Sequence, residues 1–300
     1  MEYRNLGPSD LRVSELSLGC MSLPMELQEA RNIIDAAVDA GINFFDTADL
    51  YNHGRNEIIV GDILRKKRQD VIISTKVGNV WDASGDSWHW DASKKYIMEA
   101  VKKSLVRLGT DYIDLYQLHG GTLEDNFEEI AEAFEDLKRE GVIRQYGISS
   151  IRPNVIEQMA TMGRPSAIMM QYSALDRRPE EWFEWMKERR ISVISRGTIA
   201  KGLLTNEWEQ RMTDNGFLDY SKEELAHTLK QLEQSTDYML NGAIGYNLKQ
   251  DVIASTVLGV SSLSQLYEII DAYHHLASQD ILEQWMNMTK ANRYEEHRMK

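Results

Sequence analysis

Short apolar runs alternate with longer stretches of helical period along most of the chain. Residues 16–20, 43–47, 71–76, 112–118, 145–148, 167–171, 192–195 and 256–258 are rich in Ile, Val, Leu, Phe and Tyr and read as eight strands. Between them, residues 28–40, 56–66, 93–108, 125–140, 153–162 and 180–190 carry apolar positions three and four apart, the period of a helix with one buried face. Gly41, Gly109 and Gly141 stand just past three of these stretches, where helices stop. Parallel strands need crossover connections, and a helix after each strand supplies them. Eight such units close into an α/β fold of the (β/α)8 barrel type, expected as one domain over residues 1–300. An open doubly wound sheet has the same alternation. It is disfavoured because the first strand runs into GCMSLPM, which has no GxGxxG loop.

Some stretches break the alternation. Residues 1–15 precede the first strand and are expected as a hairpin plugging the barrel bottom. Residues 77–93 make a long loop after the third strand and carry Trp81, Trp88 and Trp90, placed to roof a pocket or to pack within the loop. Residues 199–245 follow the seventh strand, with a polar helix pattern from Ser221 to about Asn241. From Gln279 the chain reads as a helix and then a charged tail.

Composition narrows the function. A chain with 42% hydrophobic and 27% charged residues is ordinary for a globular protein. A formal net charge of −13 argues against a nucleic-acid partner and against an anionic membrane surface. Cys20 is the only cysteine, so neither an internal disulfide nor a cysteine metal cage is possible. His274 and His275 are adjacent on a helix and point apart, which argues against a shared metal. No apolar run approaches the ~18 residues of a membrane span, and the N-terminus lacks a signal-peptide core, so a cytoplasmic location is expected.

The candidate chemistry lies at strand ends. Asp46 and Tyr51 close NFFDTADLY, Lys76 closes VIISTK and His119 closes YIDLYQLH. Residues leaving the carboxyl ends of barrel strands converge on one mouth. A free phenol titrates near ~10, too weak an acid for neutral pH, and a neighbouring ammonium stabilises its phenolate. Tyr51 is then the candidate acid, Lys76 its tuning cation, Asp46 the anchor of that cation, and His119 a donor to a carbonyl oxygen. A Schiff-base role for Lys76 is the competing chemistry.

The stretches GINFFDTADLYNHGRNE, ISTKVG, SLVRLGTDYIDLYQLH, GVIRQYGISS, QYSALDR and AKGLL resemble the aldo-keto reductases over nearly the whole chain. In that family the catalytic tetrad is Asp, Tyr, Lys and His in this order, which falls on Asp46, Tyr51, Lys76 and His119. The resemblance implies an NADPH-dependent reductase of aldehydes and ketones, its small carbonyl substrate and its cofactor both held at the strand ends. NADH is the second cofactor implied. A binding role, as a cofactor-sensing subunit of a larger complex, is the functional alternative. Ser149 and Gln171 match the positions that hold the nicotinamide carboxamide, and Ser150 stands where the family usually has Asn. Cys20 and Met21, at the end of the first strand, are further candidate contacts. In ISRGTIAKGLL, Ser195, Arg196, Gly197, Thr198, Lys201 and Leu203 align with the segment beside the cofactor, and Arg196 replaces an aromatic residue. A planar guanidinium can stack on a flat ring. In TVLGVSSLSQLYEII, Gly259, Ser261, Ser262 and Gln265 match the segment for the adenosine 2′-phosphate, without the usual basic residue and with Ile269 in place of Asn.

Overall fold

The structure is a computed structural model that describes residues 1–299. Its strands in chain order are β1 (Tyr3–Asn5), β2 (Arg12–Ser14), β3 (Leu16–Gly19), β4 (Phe44–Asp46), β5 (Ile72–Val77), β6 (Asn79–Trp81), β7 (Trp88–Trp90), β8 (Ile113–Leu118), β9 (Ile143–Ser149), β10 (Ala167–Gln171), β11 (Ser192–Arg196) and β12 (Ile253–Gly259). Eight of them close into a barrel in the order β3-β4-β5-β8-β9-β10-β11-β12, with β12 pairing back onto β3 through Thr256–Leu16 and Gly259–Gly19. All eight pairings are parallel. Each strand is packed on both faces, which is why the runs are continuously apolar and do not alternate.

The outer faces of the strands pack on the surrounding helices in the main core. A second, separate cluster lies inside the barrel. There Leu6, Leu11 and Val13 of the antiparallel β1–β2 hairpin pack against Phe44, Ile72, Leu115, Ala167 and Ile194. The N-terminal segment therefore plugs the bottom, as its position before the first barrel strand suggested. Period two along a strand then orders the interior by height. Phe44 is followed two residues on by Asp46, Ile72 by Ser74 and Lys76, and Leu115 by Gln117 and His119, so apolar residues lie low and polar ones high.

Three expectations are revised. The loop at 77–93 contains an antiparallel hairpin, β6 with β7, whose register sets Asn79 opposite Trp90 and Trp81 opposite Trp88. The eighth barrel strand begins at Ile253, ahead of the expected 256, and pairs from there with Val193; the polar Ser255 interrupts the apolar run, and its Oγ donates to Ser14 O at 2.7 Å. The pattern from Ser221 to about Asn241 divides into two helices. Lys222–Gln234 starts with a reciprocal cap between Ser221 and Glu224 and ends before Ser235. Met239–Leu248 is buried on most sides, so it has no amphipathic stripe to read from sequence. Among the described residues, no helix is long and apolar enough to cross a membrane.

Candidate active site

At the carboxyl ends of the strands the barrel opens into a cavity of about 700 Å3, lined by Asp46, Tyr51, His119, Met21, Ser149, Ser150, Arg196, Gly197 and Gly259 among others. Lys76 stands just behind it, 1% exposed. Its Nζ donates to Asp46 Oδ2 at 2.7 Å and to Thr47 O at 2.7 Å, and more weakly to Tyr51 Oη at 3.5 Å. Asp46 Oδ1 accepts from Ser74 Oγ at 3.0 Å, and Ser74 Oγ accepts from Gln117 Nε2 at 2.8 Å. Those inward-facing polar residues form a buried chain that fixes the carboxylate. Burial alone would depress the Lys76 ammonium, but Asp46 and then Tyr51 more than offset it and hold the pKa above its ordinary value. Lys76 is therefore a fixed cation, and an amine nucleophile for a Schiff base is correspondingly disfavoured.

Tyr51 opens a short 3-10 turn, Tyr51–Gly54, in which Asn52 and His53 take left-handed φ of 48 and 55 degrees. Trp81 anchors this turn from the β6–β7 hairpin. Its Nε1 donates to Leu50 O at 3.1 Å, and its ring stacks on His53 at 3.9 Å between centroids. His119 meets Tyr51 edge to face at 5.9 Å between centroids. Burial, then the cations Lys76 and Arg196, push the imidazole down to about 3, so it is neutral near pH 7. His119 Nδ1 is buried and has no hydrogen-bond partner among the described residues. The backbone around it is held, with His119 N donating to Val77 O at 2.8 Å and Asn79 Nδ2 donating to His119 O at 3.1 Å.

The other expected contacts divide by position. Arg196, at the end of β11, makes no hydrogen bond or ion pair through its guanidinium among the described residues, and burial lowers its pKa, partly offset by Tyr51 and Asp46. Gln171, at the end of β10, lies beside Gly197 of the cavity lining. Cys20, Ser195 and Leu203 are buried behind the wall; burial and then Asp46 push the Cys20 thiol far up, so it stays protonated. Thr198 is buried with its hydroxyl unpartnered, and Lys201 is exposed. Ser262 caps the helix Leu263–His274 by accepting from Gln265 N at 3.3 Å. Gln265 Oε1 accepts from Ser261 N at 2.8 Å and from Ser261 Oγ at 3.1 Å, so both donors of Ser261 are used locally.

Several site residues were not singled out in the sequence. Ser74 and Gln117 had a legible signal, polar residues at inward positions of apolar strands. Asn79, Arg152 and the backbone at Gly120 and Gly121 had none, because loops bring them to the cavity. Trp88 and Trp90 do line it, with Trp90 Nε1 donating to Asp125 Oδ1 at 2.9 Å. Among the described residues, no group of three or more His, Cys, Asp or Glu is placed to hold a metal ion.

Comparison with known proteins gives one answer. Residues 15–289 match the Aldo/keto reductase family. An uncharacterized oxidoreductase of Bacillus subtilis (strain 168) is 50% identical over 305 aligned residues, covering 99% of this chain and 100% of that protein. The holo form of an aldo-keto reductase from Bacillus halodurans matches with a TM-score of 0.93 at 49% identity, over 99% of both chains. An NADH-specific methylglyoxal reductase of Escherichia coli (strain K12) is 29% identical, over 89% of this chain and 92% of that protein.

Proposed function

The chain belongs to the Aldo/keto reductase family, whose members are NAD(P)H-dependent oxidoreductases, and from that premise we propose that it reduces aldehydes and ketones to alcohols with NADPH, Tyr51 being the general acid. The observation that carries this reading is the buried Lys76–Asp46 pair at 2.7 Å, set against the Tyr51 hydroxyl at the cavity wall. When bound, the cofactor supplies hydride to the carbonyl carbon. Negative charge then develops on the carbonyl oxygen, where Tyr51 delivers a proton. Lys76 stabilises the phenolate left behind, and Asp46 keeps Lys76 charged and aimed. Neutral His119 orients the oxygen through a ring N–H and competes with no proton transfer, because it carries no charge near neutral pH.

The residues present suit a nicotinamide dinucleotide. The unpaired Arg196 guanidinium offers a planar face to a flat ring and a charge to a pyrophosphate. Ser149 and Ser150, at the end of β9 across β10 from it, supply hydroxyls at the cavity wall. The preference for NADPH over NADH rests on less. The segment 259–265 has no basic residue, and its Ser261 donors are already bonded to Gln265.

The deciding experiment follows NADPH oxidation with a panel of small aldehydes, in the native protein and in Tyr51→Phe. The native protein is expected to turn over several of them. Loss of the proton donor lowers the rate by at least ~100-fold while NADPH affinity holds. Half the native rate in the variant would exclude Tyr51 as the acid.

A further inference from the structure

The charge at the cavity is opposite to that of the molecule. The chain carries −13 overall. The cavity is lined by one carboxylate, Asp46, which Lys76 neutralises at 2.7 Å, and by two guanidinium groups, Arg152 and Arg196. His119 contributes no charge near neutral pH. Neither arginine has a carboxylate within ion-pair distance among the described residues, so an acidic protein presents a net cationic pocket.

The two arginines are separate in the barrel. Arg196 ends β11, whereas Arg152 follows β9, with β10 between them. Under the reductase reading, on which this inference rests, the cofactor phosphates lie at the ends of β11 and β12 near Arg196, Gly197 and Gly259, and its nicotinamide end reaches Ser149 and Ser150 at the end of β9. Arg152 lies at that reacting end, away from the phosphates and beside the loop that follows His119. Its Nη1 donates to Gly121 O at 3.0 Å, and its backbone N donates to Ser150 Oγ at 3.2 Å. A guanidinium has five N–H donors in a planar fork. One is used here, which fixes the group at the wall and leaves the others open.

We propose that Arg152 is an anion subsite for the substrate, and that the preferred substrates are aldehydes or ketones bearing a carboxylate. A planar fork matches a carboxylate in bidentate fashion. The hydroxyl of Tyr51 and the His119 ring receive the carbonyl oxygen, and Arg152 holds the distal anion, so the substrate is tethered at both ends.

The test uses matched aldehyde pairs with NADPH: butanal against 4-oxobutanoate, and benzaldehyde against 4-carboxybenzaldehyde. The two pairs differ in reach. The native protein is expected to favour the carboxylate member of at least one pair by about 10- to 100-fold in kcat/KM, the range of a charge-assisted hydrogen bond. Added salt narrows that ratio, because the cavity is open to solvent. Preference for the neutral member in both pairs overturns the proposal. Arg152→Gln is expected to bring the ratio close to one, and Arg152→Lys to keep part of it. The ratio is read within one protein, so a general loss of activity does not imitate the effect, and if the variants fail to fold the native ratio decides. An unchanged ratio in Arg152→Gln overturns the proposal. So does a loss of NADPH affinity in that variant with the ratio intact, since that assigns Arg152 to a cofactor phosphate. If the native protein reduces no member of either pair, the reductase reading falls, and this subsite with it.

Discussion

His119 and Asp49 are displaced in ways that give opposite pH dependences. His119 is pushed down to about 3 by burial and by Lys76 and Arg196. Its unfolded value is near ~6.5, so between those limits the unfolded chain binds more protons and stability is lost as pH falls. Asp49, two residues before Tyr51, is pushed up to about 8 by burial and by Glu57, against the opposing pull of Arg107. There the folded state binds more protons, so stability is lost as pH rises from about 4 to about 8. Below pH 6.5 the two slopes oppose each other, and above it Asp49 acts alone. His119→Gln should therefore remove on the order of 2 kcal/mol of the loss between pH 6.5 and 5, and Asp49→Asn a similar amount of the loss between pH 6 and 8. Thermal unfolding across that range measures both, and parallel profiles in the variants would contradict the assignment. Cofactor choice is also decided at this scale. With hydroxyls and no Arg for a 2′-phosphate, NADPH should be favoured over NADH by only about 10- to 100-fold, ~1.4–3 kcal/mol. Arg196→Ala should weaken both cofactors alike, whereas Ser261→Ala with Ser262→Ala should weaken NADPH alone. Fluorescence titration separates these, and a loss confined to NADPH in Arg196→Ala would move that residue from the nicotinamide to the phosphate.

Elements meet where single residues allow it. The helix Arg55–Leu64 crosses the helix Lys94–Leu108 at Gly61, where a Cβ would overlap the Leu108 carbonyl. A glycine in a helical pattern reads as a defect in sequence, since it costs helix propensity. The close approach of two backbones explains it. Gly61→Ala should destabilise by about 1–3 kcal/mol or more, because backbone cannot yield as a flexible side chain does. A denaturant midpoint equal to that of the native protein would show that the helices separate freely. Local signals were clear at other helix boundaries. Ser93 accepts from Tyr96 N at 3.2 Å, and Gly109 takes the left-handed conformation that ends the same helix. The β6–β7 hairpin carries a local turn signal in residues 82–87, where Gly85 takes a φ of 77 degrees, but its short strands hold tryptophans whose partners, Leu50, His53 and Asp125, lie elsewhere in the chain.

At the scale of the molecule, the barrel is closed at one end by its own N-terminus and open at the other. Leu11 is 1% exposed and packs with Phe44, Ile72 and Leu115 on the barrel floor. Leu11→Ala should cost about 2–5 kcal/mol by leaving a cavity there, and chemical denaturation measures it. Aldehyde turnover should persist, because the polar layer of Ser74, Asp46 and Gln117 separates the floor from the mouth. A cost below about 0.5 kcal/mol would mean that the hairpin covers the barrel without supporting it.

The sequence by itself determined the eight-stranded α/β barrel, the plug and the placing of four polar residues at strand ends, because each depends on short-range order. Strand period, helix period and the position of a polar residue at the end of an apolar run are set by neighbours along the chain. Asp46, Tyr51, Lys76 and His119 were legible for that reason, and they do meet at one mouth. Only the tertiary structure decided the rest. Burial of the helix Met239–Leu248 on most sides erased its stripe. The local use of Ser261 by Gln265, the unpartnered Nδ1 of His119 and the net positive lining of a pocket in an acidic protein depend on which loops meet at the barrel mouth. Charge and hydrogen bonding act through space, and the distances concerned are fixed by the closure of the barrel.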